Sequence, residues 1–302
     1  MNEVDVKVNS LKAWILASRP KTLSGAAVPV MIGTALAMRD ASCDIRIVPA
    51  ILCFLFAFLM QIDANFINDY FDFVKGADDE NRLGPKRACA QGWITKKVMR
   101  IGIALTTFLS CSVGLPLVVY GGWQMIGVGA VCVLFCFLYT TCMSYMGLGD
   151  VLVLVFFGFV PVCLTYYLDM PSGAPLFSQE VVWASLACGL VIDTLLVVNN
   201  YRDIDNDRHS GKKTLVVRIG ARASEKLYLG LGLTACLSGF VLFYDRSMWA
   251  AMLPLVYLVM HIYTYREMLR IRKGTELNRV LGMTARNMFV YGLLQSLGLI
   301  IS

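Results

Sequence analysis

Histidine is almost missing from this chain: His209 and His261 are the only two in 302 residues. That pair is too sparse and too separated for a histidine-built metal centre. The ten cysteines form no CxxC pair and fall mostly inside apolar runs. They read as small packing residues rather than disulfides or metal ligands. Charge is scarce too, at 16% against 57% hydrophobic residues, which excludes an ordinary soluble domain. A cleavable leader pattern is also missing, because the first apolar stretch follows a polar, basic start with no clear cleavage site.

What is present is a succession of apolar runs long enough to cross a bilayer. Spans are expected near residues 24–38, 47–66, 99–120, 123–141, 149–168, 181–200, 224–244, 248–265 and 284–302. The fold class is therefore all-α, a multi-pass membrane bundle of about nine helices, in one unit over 1–302. With the N-terminus inside, segments 1–22, 68–100, 141–149, 201–226 and 266–286 are cytoplasmic and carry 24 of the 27 Lys and Arg. This positive-inside bias also accounts for the net charge of +6, so no nucleic-acid partner is implied. Trp123, Trp183 and Trp249 begin spans at the opposite interface. Residues 1–22 suit a short interfacial helix, with Leu11, Trp14, Ile15 and Leu16 beside Lys12, Arg19 and Lys21. Segment 169–180 reads as an outer loop.

Two acidic clusters stand at cytoplasmic span ends. The first is Asn68-Asp69-Tyr70-Phe71-Asp72, and the second runs from Asn199 to Asp207. On a helix, Asn65, Asp69 and Asp72 share one face, and Asn199, Asp203 and Asp207 repeat that stripe at steps of four. Facing carboxylates repel and are costly near lipid unless a cation joins them. Mg²⁺ commonly takes a few carboxylates together with substrate phosphates, so the pattern points to a membrane enzyme that grips a diphosphate. Basic, glycine-containing loops follow each cluster, over residues 68–98 and 201–223. Two similar four-helix units and a last helix would bring these loops over one cavity.

At these residues the chain resembles the UbiA-type intramembrane aromatic prenyltransferases, in particular the branch acting on 1,4-dihydroxy-2-naphthoate. The resemblance is carried by Ala17 through Leu23, Asn65 through Asp72, Arg82-Leu83-Gly84-Pro85-Lys86-Arg87, Gly147-Leu148-Gly149-Asp150, Asn199 through Asp203, and Gly211 through Arg218. It implies nine helices around a cavity capped by cytoplasmic loops, in a bacterial inner membrane. It also implies the reaction: a polyprenyl diphosphate alkylates an aromatic acid, releasing diphosphate and CO₂ and giving demethylmenaquinone.

On that resemblance, Mg²⁺ would be held by Asp69, Asp72, Asp203 and Asp207, with Asn68 and Asn199 orienting ligands or water. Lys75, Arg82, Arg87, Arg202, Arg208, Lys212 and Lys213 are the candidates for the diphosphate oxygens. Tyr70, Tyr139, Tyr166 and Tyr167 are candidates to face the allylic cation, where a desolvated cation–π contact contributes roughly 2 kcal/mol. The expected partners are the polyprenyl diphosphate, the aromatic acid acceptor and membrane lipid; no protein partner is implied. An alternative acceptor such as 4-hydroxybenzoate stays open, as does a cation transporter. Gly76 stands where a further acid is expected, leaving Asp78 or Asp79 to complete the first motif. Asp63 and Asp193 lie roughly 9 and 15 Å deeper along their helices, at ~1.5 Å per residue, than Asp69 and Asp203. Both are expected to point into the bundle, either to a neighbouring helix or to the acceptor.

Overall fold

A computed structural model of the chain describes residues 6–76, 83–171, 178–243 and 247–302, and these fold as helices with no strand among them. In chain order the principal helices are α1 (Leu11–Ser18), α2 (Ser24–Asp40), α3 (Ile47–Val74), α4 (Lys96–Gly121) and α5 (Gln124–Thr141). They continue with α6 (Gly149–Asp169), α7 (Gln179–Arg202), α8 (Ala221–Phe243), α9 (Met248–Ile271) and α10 (Leu277–Ile300). Asp78, Asp79 and Arg82 lie outside the described residues, as does half of the expected outer loop 169–180.

Among the described residues, six helices are long and apolar enough to span a membrane, namely α3, α4, α5, α6, α7 and α9. The other three expected spans fall on α2, α8 and α10, so the count of nine is not established by length and apolarity. Helix α2 has only 17 residues. Helix α8 opens with Arg222, Glu225 and Lys226, and α10 carries Arg279, Arg286, Asn287 and Gln295. Arg279 and Arg286 are exposed, but the uncharged polar residues in the middle of α10 are turned inward. Thr284, Asn287 and Gln295 are buried, and Asn287 donates to Thr264 Oγ1 on α9 at 2.8 Å. Such a contact keeps a polar side chain in a membrane bundle by pairing it with a neighbouring helix.

Helix α7 is the most enclosed of the six, and α5 the least. Close packing of α6 on α7 depends on two facing glycines. A Cβ on Gly158 would stand 2.7 Å from the Ser185 carbonyl oxygen and 3.0 Å from Gly189 Cα. Their absence of side chains lets the two backbones touch. That contact, midway along both helices, holds α6 against α7, and their neighbouring ends carry the polar motifs.

Candidate active site

Both acidic clusters end up at one end of the bundle because α3 and α7 each finish there. Helix α6 starts at the same end and α5 finishes at it, so Asp150 and Tyr139 join them. A polar cavity of about 430 Å³ occupies this end. Its walls include Asn68 and Asp72 from α3, and Asn199, Asp203 and Asp207 from α7 and the short helix Ile204–His209 that follows. A second, mainly apolar chamber of about 1240 Å³ lies against it. The two share Asn68, Arg87, Tyr139, Leu196 and Asn199 as common wall.

The second stripe of the sequence therefore faces the cavity as read, with Asn199, Asp203 and Asp207 in line. The first stripe has a different phase. Asn68 and Asp72, four residues apart, face the cavity, and Asp69 does not line it. Asp69 instead accepts the backbone N–H groups of Ala88 and Cys89, each at 2.8 Å. One residue turns a helix by about 100°, so Asn68 and Asp69 cannot both serve the cavity. Asp69, expected among the metal ligands, thus lies off the cavity and ties down the loop that returns after the first motif. Burial, together with the same carboxylate, raises the Cys89 thiol above its ordinary range, so that sulfur stays protonated.

Asp72 is buried and stands 3.6 Å from Lys212 Nζ and 3.7 Å from Arg87. Its Oδ1 is buried without a hydrogen-bond partner. Lys212 and Arg87, both candidates for the diphosphate, line the cavity. Lys75 is on the rim: its ammonium donates to the Thr141 carbonyl at 2.6 Å and lies 4.3 Å over the Tyr145 ring. Lys212 approaches that same ring at 5.2 Å. Burial and the nearby charges of Asp72 and Asp207 push the Tyr145 phenol up to about 12, so it remains neutral. The backbone N–H of Lys213 donates to the Tyr145 carbonyl at 3.1 Å. The turn at Gly147 requires glycine: its φ is +75°, and a Cβ there would meet the Lys213 carbonyl at 2.5 Å.

Two of the arginines expected at the diphosphate lie off the polar cavity. Arg202 lines neither cavity. Its guanidinium is buried and donates to both Asp203 oxygens at 2.8 and 2.6 Å, to Asn199 Oδ1 at 2.9 Å and to Asn278 Oδ1 at 2.9 Å. Asn278 in turn donates to the Leu83 carbonyl at 2.7 Å. Arg202 is therefore a strut that ties the second motif to α10 and to the loop after the first motif. Arg208 is on the outer surface, 3.6 Å from exposed Asp205. A charge that satisfies topology and one that holds a site look alike in sequence.

Tyr139 lines both cavities, but Tyr166 lines neither. Tyr166 follows Asp150 by sixteen residues on α6 and so lies roughly 24 Å away along the helix. At that far end its hydroxyl donates to Asp40 at 2.9 Å. Tyr70 and Tyr167 are likewise packing residues. Asp63 and Asp193 are buried, as expected, yet neither lines either of these two cavities. Thr107 donates to Asp63 at 2.6 Å, which is the helix-to-helix outcome. The reading of the residues singled out neither Asp150 as a site acid nor Asn206 and Ser144, all of which line the polar cavity, as does His209.

The UbiA prenyltransferase family matches residues 26–293. The chain belongs to this family. Among curated relatives, a 1,4-dihydroxy-2-naphthoate octaprenyltransferase of Escherichia coli (strain K12) is 36% identical over 256 residues, covering 80% of each chain. The enzyme of the same name from Mycobacterium leprae (strain TN) is 32% identical over 291 residues, covering 94% of this chain and 95% of the relative. The fold matches a UbiA homolog from Archaeoglobus fulgidus bound to DMAPP and Mg²⁺, with TM-score 0.63 and 14% identity over 94% of this chain and 99% of that one. An apo UbiA homolog from Aeropyrum pernix K1 gives TM-score 0.67 at 15% identity, covering 92% and 97%.

The donor set suits a hard divalent cation shared with a phosphate. Among the described residues no three acidic, histidine or cysteine side chains close into a metal cage. Asn68 and Asp72 instead stand on one wall of the cavity and Asn199, Asp203 and Asp207 on the other, with Asp72 Oδ1 free. Mg²⁺ favours such an open oxygen site, completed by water and substrate phosphates, over an all-protein cage.

Proposed function

We propose that this chain transfers a polyprenyl group from a polyprenyl diphosphate to 1,4-dihydroxy-2-naphthoate, releasing diphosphate and CO₂ and giving demethylmenaquinol, the reduced form of demethylmenaquinone. The observation that carries the reading is the shared wall between the two cavities. A molecule with an anionic head and a long apolar tail fits across it, head among Asp72, Lys212 and the second stripe, tail in the chamber. The scissile C–O bond then lies beside Asn68, Tyr139 and Asn199. The naphthoate acceptor rests on what the relatives are named.

Asn68, Asp72, Asp203 and Asp207 would hold Mg²⁺. When bound, the metal neutralises charge that grows on the departing diphosphate. Arg87 and Lys212 add charge-assisted hydrogen bonds to the same oxygens. Tyr139 presents an aromatic ring to the allylic carbon as positive charge develops there. The apolar chamber excludes water, which would otherwise capture that carbon. Asp69 and Arg202 keep the two motifs in place. We place the whole chain in a bacterial inner membrane as one unit, with the N-terminus and both motif loops cytoplasmic, on the strength of the positive-inside bias. A transporter reading has no support once the chain is a UbiA prenyltransferase.

The test is purified protein with a polyprenyl diphosphate, Mg²⁺ and either 1,4-dihydroxy-2-naphthoate or 4-hydroxybenzoate. Prenylated naphthol lacking a carboxyl-borne label is the expected product. Label retained in that product excludes the decarboxylating reaction, and preference for 4-hydroxybenzoate moves the acceptor. Activity that survives excess chelator removes the metal.

A further inference from the structure

Asp150 differs from the other acids of the cavity. Asp72 has Lys212 and Arg87 nearby, and Asp203 is clasped by Arg202. Asp150 opens α6, is only 8% exposed, lines the polar cavity, and has its Oδ1 buried with no hydrogen-bond partner. Tyr139 is beside it: a Cβ on Gly149 would stand 3.8 Å from the Tyr139 hydroxyl and 3.3 Å from Leu196 Cδ2. Tyr139 and Leu196 belong to the wall common to both cavities. Asp150 therefore stands close to where the head of the prenyl donor gives way to its tail. A buried carboxylate oxygen without a partner is a strong acceptor that lacks a donor. A diphosphate offers only acceptor oxygens, so it does not satisfy this group. A ring hydroxyl does.

We propose that Asp150 is the catalytic residue that contacts the aromatic acceptor, receiving the hydrogen bond and then the proton of the hydroxyl adjacent to the carbon being alkylated. This rests on the proposed function, a prenyl transfer to a hydroxylated aromatic acid. As the prenyl C–O bond breaks, its electron pair leaves on diphosphate. The carboxylate-bearing ring carbon forms the new C–C bond to the prenyl carbon with a ring electron pair. The neighbouring hydroxyl becomes a carbonyl, and its proton moves to Asp150. The bond from the ring to the carboxylate then breaks, its pair rebuilds the aromatic ring, and the proton returns from Asp150 to the oxygen as CO₂ departs. Counted as fully ionised species, three charges on the donor and one on the acceptor become four on free diphosphate. No proton is gained or lost overall. A buried carboxylate that lends and regains one proton is then sufficient, with no exchange with water needed.

The experiment uses the full-length protein in detergent with Asp150→Asn, which keeps shape and polarity and removes the base. Geranyl diphosphate with Mg²⁺ is expected to bind within twofold of wild type, while turnover of 1,4-dihydroxy-2-naphthoate falls about 100-fold or more, the range of a lost general base. Turnover within threefold of wild type overturns the assignment, as does parallel loss of geranyl diphosphate binding. Where the variant does not accumulate folded, the wild-type protein decides. It is expected to bind 2-naphthoate, which keeps ring and carboxylate but lacks both hydroxyls, at least tenfold more weakly than the dihydroxy acid; equal binding overturns the assignment. A wild-type protein inactive toward every hydroxylated acceptor would instead remove the proposed function itself.

Discussion

Arg202→Lys keeps the charge of the buried strut and removes its shape. The arginine makes four hydrogen bonds in a planar fork, two to Asp203, one to Asn199 and one to Asn278. A lysine ammonium on a flexible stem cannot reproduce the bidentate grip on Asp203 while reaching Asn199 and Asn278. Hydrogen bonds to a charged group contribute about 1.5–3 kcal/mol each. Allowing lysine one good contact and part of a second, the loss at the lower figure is about 4 kcal/mol, of which we assign about 3 kcal/mol to placement of the cavity-facing oxygens and the rest to fold stability. At about 1.4 kcal/mol per tenfold, the placement share corresponds to about two orders of magnitude in kcat/KM. The assay is steady-state prenyl transfer by purified variants, with a thermal unfolding scan of each. Arg208→Ala is the control, since Arg208 makes only an exposed pair with Asp205 and is expected to stay within about twofold. Wild-type kcat/KM in Arg202→Lys would refute the strut, and equal losses in the two variants would return both arginines to the diphosphate.

Asp72→Ala and Asp203→Ala each remove oxygen ligands from one wall of the cavity and are expected to abolish turnover; near-normal product formation in either, at ordinary Mg²⁺, counts against the shared metal site. Asp69→Ala strands the buried N–H groups of Ala88 and Cys89, at about 1–3 kcal/mol per unsatisfied group. It should show first as a lower unfolding temperature, and a variant of unchanged stability that has lost only Mg²⁺ affinity would restore Asp69 as a ligand. Tyr145→Phe keeps the ring beneath Lys75 and Lys212 and is expected to leave KM for the prenyl diphosphate near wild type. Tyr145→Leu is expected to raise that KM several-fold, and indistinguishable KM values would remove the ring from the argument.

Much of this molecule was legible because two kinds of signal repeat along the chain. Apolar runs and the one-sided placement of Lys and Arg gave the membrane class and put both acidic clusters at one end. Steps of four from Asn199 to Asp207 gave the second wall of the cavity. The first wall was read out of phase, since Asn65, Asp69 and Asp72 form a stripe as regular as Asn68 and Asp72 do. Only the position of the loop at Ala88 and Cys89 decides which stripe faces inward. Asp150 escaped because a single acid after a Gly-Leu-Gly has no periodic partner to mark it. Tyr166 was misjudged because its distance from the motifs depends on α6 running unbroken to the far end of the bundle. The existence of α10 was legible but not its start at Leu277, and its polar residues make sense only once Asn287 is seen to bond Thr264 across to α9.

The apolar chamber has a thermodynamic consequence for how the donor is chosen. A soluble enzyme that binds a prenyl chain draws affinity from taking that chain out of water. Here the chain is already dissolved in bilayer hydrocarbon before it meets the wall formed by α3, α4 and α5, and side chains such as Phe56, Met60 and Phe135 offer it surroundings no more apolar than lipid. Moving from one oil to another releases little free energy, however many isoprene units are moved. Affinity must then come from the diphosphate end, and the tail length found in the product is left to whichever donor the membrane supplies.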